Sequence, residues 1–333
     1  MTDFIKRKER IDRGIKACTD DIYCLSSLRE IAYLLIPRLL PVLVVALLLL
    51  LLPLYWKKVM LIALIMAIMA MSWDFMTSCG LVSLGQALFF AIGAYFSGSL
   101  NHYVGLPLCI SIPVATVGGG LLSTALIFPA LRLRGMYFSM VTLIIPLMLM
   151  RVIEATKILG GTEGMSAISA FPGVWSSIGV GTIAAVATLV FLRRLVCSDY
   201  GLVFIAMKDN DNAVEASGFN TLWFKVQAIF IGSALCSFCG AFMTHYHMSV
   251  GMSAFALDLS IFPLAASIVG GIGTLTGAFL GAMILGPLSE AVRAFGSFRV
   301  VTYSALLLFF VVAVPEGIFP YLKRKYEQTE RWS

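Results

Sequence analysis

Nine apolar stretches, near residues 39–55, 59–78, 80–100, 106–131, 135–158, 176–196, 223–245, 259–289 and 300–318, follow one another with little polar sequence between them. Most approach the roughly 20 residues a helix needs to cross a bilayer core. Lipid offers no partner to a backbone N–H or C=O, so runs of this length must be helices that satisfy their own backbone. The fold class read from the chain is therefore an all-α polytopic integral membrane protein of about 8–10 transmembrane helices. Its 333 residues are 59% hydrophobic and 13% charged, against about 25% charged for a soluble domain. Seven scattered cysteines, mostly within apolar runs, read as packing residues and not as a disulfide framework.

Lys and Arg cluster at 6–38, at 132 and 134, from 193 to 225 and at 323–331. The excess of basic residues on cytoplasmic loops assigns all four clusters to the cytoplasm. The net charge of +6 thus reports orientation, and no nucleic-acid partner is expected. Residues 1–38 form a basic N-terminal segment in which Ile11, Ile15, Cys18, Ile22, Leu25 and Leu28 recur at helical spacing. An amphipathic helix on the membrane surface and a partly ordered basic tail both fit that pattern. No cleavable signal is expected behind "KRKER". Residues 39–320 are read as the transmembrane domain, and 321–333 as a basic cytoplasmic tail.

Two stretches are unusual for spans. "GLVSLGQALFFAIGAYF" (Gly80–Phe96) and "GGIGTLTG" (Gly270–Gly277) carry several glycines and polar groups. Glycine weakens a helix by about 1 kcal/mol against alanine, so broken or re-entrant segments are expected near 80–100 and 259–289. A break in the second makes the number of crossings after Lys225 even, and both termini then face the cytoplasm. Offsetting one stretch by 191 residues pairs Gly80 with Gly271, Ser83 with Thr274, Leu84 with Leu275, Ala87 with Ala278 and Ala91 with Ala282. Interrupted segments at matching places in two halves point to a transport path, although small residues also serve close helix packing.

The chemistry is sparse. No glycine-rich stretch is followed by the Lys-Ser/Thr that holds nucleotide phosphates, and neither H-E-x-x-H nor G-x-S-x-G occurs. No enzymatic activity, no metal and no bound cofactor are expected in this chain. Cys236 and Cys239 lie inside an apolar run, and His245 and His247 end one, so packing and an interfacial polar cluster are the readings for these pairs. Asp74 falls about 22 Å along its helix. At such a depth an acid faces the protein interior or a water path, unless the helix end is already at the cytoplasmic surface. Arg151 with Glu154, and Glu290 with Arg293, are spaced to pair across a helical turn. Asp74, Ser83, Gln86 and Thr274 are the candidate residues of the translocation path.

The polar loop 198–225 stands apart. "NDNAVEASG" (Asn210–Gly218) reads as an Asp/Asn cap, one or two turns of helix and a glycine terminator. A short helix between spans suits a docking element.

Five blocks in order, "GLVSLGQALFFAIGAY", "LRLRGMYFSMVTL" (Leu131–Leu143), "GGTEGM" (Gly160–Met165), "AMKDNDNAVEASGFN" (Ala206–Asn220) and "IVGGIGTLTGAFLGA" (Ile268–Ala282), resemble the LivM-type permease subunits of branched-chain amino-acid ABC transporters. The likeness covers residues 60–315. It implies a bacterial or archaeal cytoplasmic (inner) membrane location, a second LivH-type permease, two cytoplasmic ATP-binding subunits and an extracytoplasmic solute-binding protein. ATP and magnesium would be bound by those partner subunits. Asp211, Glu215, Ala216 and Gly218 would then belong to the helix that couples to the ATPase. Two positions depart from the family's pattern: Gln86 stands where histidine is common, and Phe262 where many members have an acid. The solute is accordingly a branched-chain amino acid or another small molecule such as urea, an amide or a short acid. The alternative is an ion-coupled secondary transporter that uses Asp74.

Overall fold

The computed structural model describes residues 52–133, 135–292, 308, 317 and 319–320. The N-terminal segment, most of the first apolar stretch, nearly all of the last, the basic tail and Arg293 lie outside these described residues. Within them the chain is helical, with one isolated β-bridge between Met165 and Val250. The helices are α1 (Leu54–Ser78), α2 (Gln86–Val104), α3 (Leu108–Ile127), α4 (Met136–Thr156), α5 (Val174–Val196), α6 (Asp199–Asp209), α7 (Asp211–Ala216), α8 (Thr221–His247), α9 (Asp258–Gly270) and α10 (Thr276–Val292). Five helical stretches, beginning at Leu54, Leu108, Met136, Val174 and Thr221, are long and apolar enough to cross a membrane. The all-α polytopic fold holds.

α1 and α8 form the centre. Nearly every residue of α1 from Leu61 to Thr77 is buried, so it reads as apolar all round and not as an amphipathic stripe. α4 lies at the periphery and exposes Met140, Ile144 and Met148. Close packing of α2 on α8 rests on two glycines. A methyl group at Gly93 would collide with the Ser237 backbone, and one at Gly240 with the Phe90 carbonyl. Small residues let membrane helices approach until their backbones touch.

Helix directions follow from the side-chain bonds. Cys236, Ser237 and Thr244 of α8 donate to the carbonyls of Gln86, Phe89 and Ala94, so α2 runs parallel to α8. α2 thus starts beside the middle of α8, about 22 Å from Thr221. The six residues from Gly80 to Gly85 connect the end of α1 to that point as non-helical chain, which reaches about 20 Å at an extended rise of about 3.3 Å per residue. The expected broken span near 80–100 is present, and its break lies at 80–85 with a regular helix after it.

α9 and α10 form the second broken element. Ser267 donates to the Ala70 carbonyl. Further on, Gly286 packs on Ala63, and Glu290 accepts a hydrogen bond from Tyr55 at 2.7 Å. α9 therefore descends beside α1, the chain reverses at Gly271–Leu275, and α10 returns to the end where α1 begins. This is the hairpin expected for 259–289.

The two breaks share a plan. A helix ends at Ser78 or Gly270, a glycine with positive φ follows (Gly80 at 79°, Gly271 at 113°), and the next helix begins at Gln86 or Thr276. Each correspondence lies within one residue of the 191-residue offset read from the sequence. A positive φ strains any residue with a Cβ, which explains the glycine at both turns.

Candidate functional site

The break at 80–85 leaves backbone groups without helical partners, and neighbouring side chains satisfy them. Val82 O accepts from Ser139 Oγ, Ser83 O from Trp73 Nε1, and Leu84 N donates to Thr142 Oγ1. Gly85 N donates to Ser83 Oγ, and Ala87 N, an unpaired amide of the first turn of α2, donates to Ser260 Oγ of α9. Ser83 is thus a capping group of the break. Gln86 is fully buried at the helix start, and its side-chain Oε1 and Nε2 have no hydrogen-bond partner among the described residues.

At the second break Asp74 does the equivalent work. Its carboxylate oxygens accept the N–H of Gly273 at 2.6 Å and of Leu275 at 2.8 Å. Asp74 is wholly buried, yet lies only one turn before the end of α1. Asp74 thus faces the interior, close to a helix end and not at the surface. Thr274, between the two bound amides, turns its hydroxyl to the Gly271 carbonyl and is half-buried. The capping is reciprocal. A residue of α1 holds the break after α9, and a residue of α9 holds the break after α1.

A cavity of about 740 Å3 opens at the opposite end, between α1, α5 and the α8–α10 region. Lys58, Asp258 and Glu290 stand at its walls with Met66, Phe171 and Phe262. None of Asp74, Ser83, Gln86 and Thr274 lines it. Phe262 does. Arg151 pairs with Glu154 at 2.7 Å as spaced.

The loop 198–225 folds as α6, α7 and the start of α8. Asn210 caps α7 by accepting from Asn212 N and Ala213 N, and Gly218, with φ of 88°, follows the helix. This matches the cap, helix and terminator read in the sequence. Asp211 pairs with Lys225, and Glu215 accepts from Thr221 Oγ1 at 2.6 Å, so both acids tie α7 to the first turns of α8. Ala216 and Gly218 are exposed, and no atom lies near the position a Gly218 Cβ would take.

The remaining expectations resolve as packing. Cys236 and Cys239 are buried and donate to the Gln86 and Ile65 carbonyls. His245 bonds Ser97 and the Ser169 carbonyl, with Ser111 at 3.4 Å. No His, Cys, Asp or Glu group suited to a metal occurs among the described residues. Ser260, Trp73, Ser139 and Thr142 escaped the sequence reading, because single hydroxyls or an indole in apolar runs carry no spacing signal.

Residues 55–314 match the family described as branched-chain amino acid transport system / permease component. The chain is 28% identical over 275 residues to the high-affinity branched-chain amino acid transport system permease protein LivM of Escherichia coli, covering 72% of this chain and 64% of that protein. The Salmonella typhimurium LivM matches with the same identity and coverage. A probable LivM permease of Methanocaldococcus jannaschii is 27% identical over 192 residues, or 55% of this chain and 56% of that one. The chain thus spans somewhat under two thirds of the length of the first two relatives. No solved structure matches it. With its match running through both breaks and the polar loop, the chain belongs to the family of branched-chain amino acid transport system permease components.

Proposed function

We propose that this protein is a membrane-spanning permease subunit of an ATP-driven importer, and that it carries branched-chain amino acids or a related small solute. The observation that carries the reading is α7, a capped and exposed helix on a polar loop, within a chain that has no phosphate-binding loop of its own. A separate ATPase subunit would dock there on the exposed side formed by Ala216 and Gly218. Asp211 and Glu215 would hold the docking helix on α8 and not bind the partner themselves. ATP and magnesium belong to two such cytoplasmic subunits, and the chain has no catalytic site.

The solute would arrive from an extracytoplasmic binding protein and cross beside a second, LivH-type permease in a bacterial or archaeal inner membrane. Ser83, Gln86 and Thr274 mark the path at the two breaks, where unwound backbone is tolerated only inside protein or beside water. Asp74 is the brace of the second break. Both its oxygens are used by backbone amides, which supports a fixed role over that of an ion-coupling site. With α6 and α7 in the cytoplasm, the side the Lys and Arg distribution favours, the 740 Å3 cavity at the opposite end would open on the extracytoplasmic side.

The test is uptake of labelled leucine, valine, urea and acetamide by cells with and without the chain. The reading predicts saturable uptake of one class that stops on ATP depletion. Uptake that survives ATP depletion and follows a proton or sodium gradient would replace it with the ion-coupled alternative.

A further inference from the structure

The geometry points to Asp74 as the positioning residue that transmits movement of the α6–α7 loop to the break between α9 and α10, an inference that rests on the importer reading above. α6 lies directly on the end of α1. The Phe204 ring meets Phe75 edge-on with centroids 5.7 Å apart. Gly80 admits the α6 backbone so closely that a Cβ there would sit 3.1 Å from Lys208 Cα. Phe75 is next to Asp74 in sequence, and Asn210 ends α6 while capping α7. A force applied at α7 therefore reaches the last turn and a half of α1 through packed rings and backbone.

From there the connection is polar. The two amides that Asp74 holds, those of Gly273 and Leu275, flank Thr274. The held segment contains two glycines at positive φ, Gly271 and Gly273, a place where a few residues can absorb a large dihedral change. The break at 80–85 is held instead by neutral groups, namely the hydroxyls of Ser260, Ser139 and Thr142 and the Trp73 indole. A hydrogen bond to a carboxylate is roughly twice as strong as one between neutral groups. The Asp74 grip is thus the stiffer one, and it belongs to the helix end on which α6 rests. When α6 shifts, the α9–α10 reversal shifts with the end of α1.

The experiment uses the complex purified from its native membranes. Ile272, half-exposed within the break, is replaced as Ile272→Cys, and its rate of maleimide labelling above the unsubstituted background is read with and without ATP and vanadate. The expected result is a rate that changes about fivefold with nucleotide, a typical coupling between sites. With Asp74→Asn added, the nucleotide dependence disappears and solute uptake falls by a similar factor, while co-purification of the ATPase subunits and ATP hydrolysis stay within about twofold. Asn can keep one accepted bond but offers no second acceptor. Should Asp74→Asn fail to accumulate, Phe204→Leu keeps apolar bulk, loses the ring contact with Phe75, and is expected to reduce the nucleotide response.

A full nucleotide response in Asp74→Asn, or in Phe204→Leu where that is the variant read, overturns the inference. So does an Ile272→Cys complex, with Asp74 and Phe204 intact, whose labelling rate ignores nucleotide. Failure of any ATPase subunit to co-purify with the unsubstituted chain is a different outcome, and it removes the importer reading itself.

Discussion

Ser260 of α9 accepts a hydrogen bond at 3.0 Å from the backbone N–H of Ala87, in the first turn of α2. Helix starts leave amides without intrahelical partners, and this one is fully buried, out of reach of bulk water. Removing the hydroxyl leaves a buried donor unpaired at a cost of about 1–3 kcal/mol. Ser260→Ala is expected to lower the unfolding temperature in detergent measurably, and Ser260→Thr to restore most of it. Equal stability of all three proteins would show that water replaces the cap.

The contact of α2 with α8 supplies a second test. Gly93 and Gly240 face opposing backbone with no room for a methyl group. Neighbouring backbone cannot retreat as a flexible side chain does, and overpacking a well-packed site costs typically 1–3 kcal/mol or more. Gly240→Ala should reduce the folded yield more than Gly179→Ala, since nothing lies near a Cβ at Gly179. Fluorescence-detected size-exclusion chromatography of the two variants decides the matter.

Much of this was legible in the sequence for physical reasons. Lipid forces long apolar runs to be helices, so the spans beginning near 106, 135, 176 and 223 were found to within about two residues. The glycines of Gly270–Gly277 announced a reversal because positive φ is cheap only for glycine. Asn210 and Gly218 marked the ends of α7 through ordinary capping chemistry. What stayed hidden was tertiary. Nothing in the spacing says that Ser260 meets Ala87, 173 residues away, or that both oxygens of Asp74 are taken by Gly273 and Leu275. The cavity was missed for the same reason, as its walls come from five separate segments.

Gln86 offers a prediction in which stability and function separate. Its buried amide has no partner among the described residues, so replacement by an apolar residue of similar size is nearly neutral or stabilising for the fold, whereas burial without a bond costs about 1–3 kcal/mol. If it marks the solute path, Gln86→Leu should unfold at an equal or higher temperature and yet transport less. Undiminished uptake would take Gln86 out of the path.

Within α7 the consequences of substitution differ by position. Glu215 accepts from Thr221 at the surface, a contact worth about 0.5–1.5 kcal/mol, so Glu215→Ala should weaken coupling mildly. Gly218 has a φ of 88°, and a side chain there costs roughly 1–2 kcal/mol. Gly218→Val is therefore expected to distort the end of the helix and lose ATPase binding and uptake together, with the protein still inserted. Pull-down of the ATPase subunits beside an uptake assay measures both.

The most direct measurement is purification of the tagged chain from its native membranes, followed by an ATPase assay on what accompanies it. The importer account predicts ATP-binding subunits in the eluate and hydrolysis that the chain lacks when purified alone. Ala216→Arg, which places a long cation on the exposed face of α7, should abolish both while leaving the chain folded and in the membrane. ATP hydrolysis by the chain alone, or full ATPase binding and uptake with Ala216→Arg, would contradict the account.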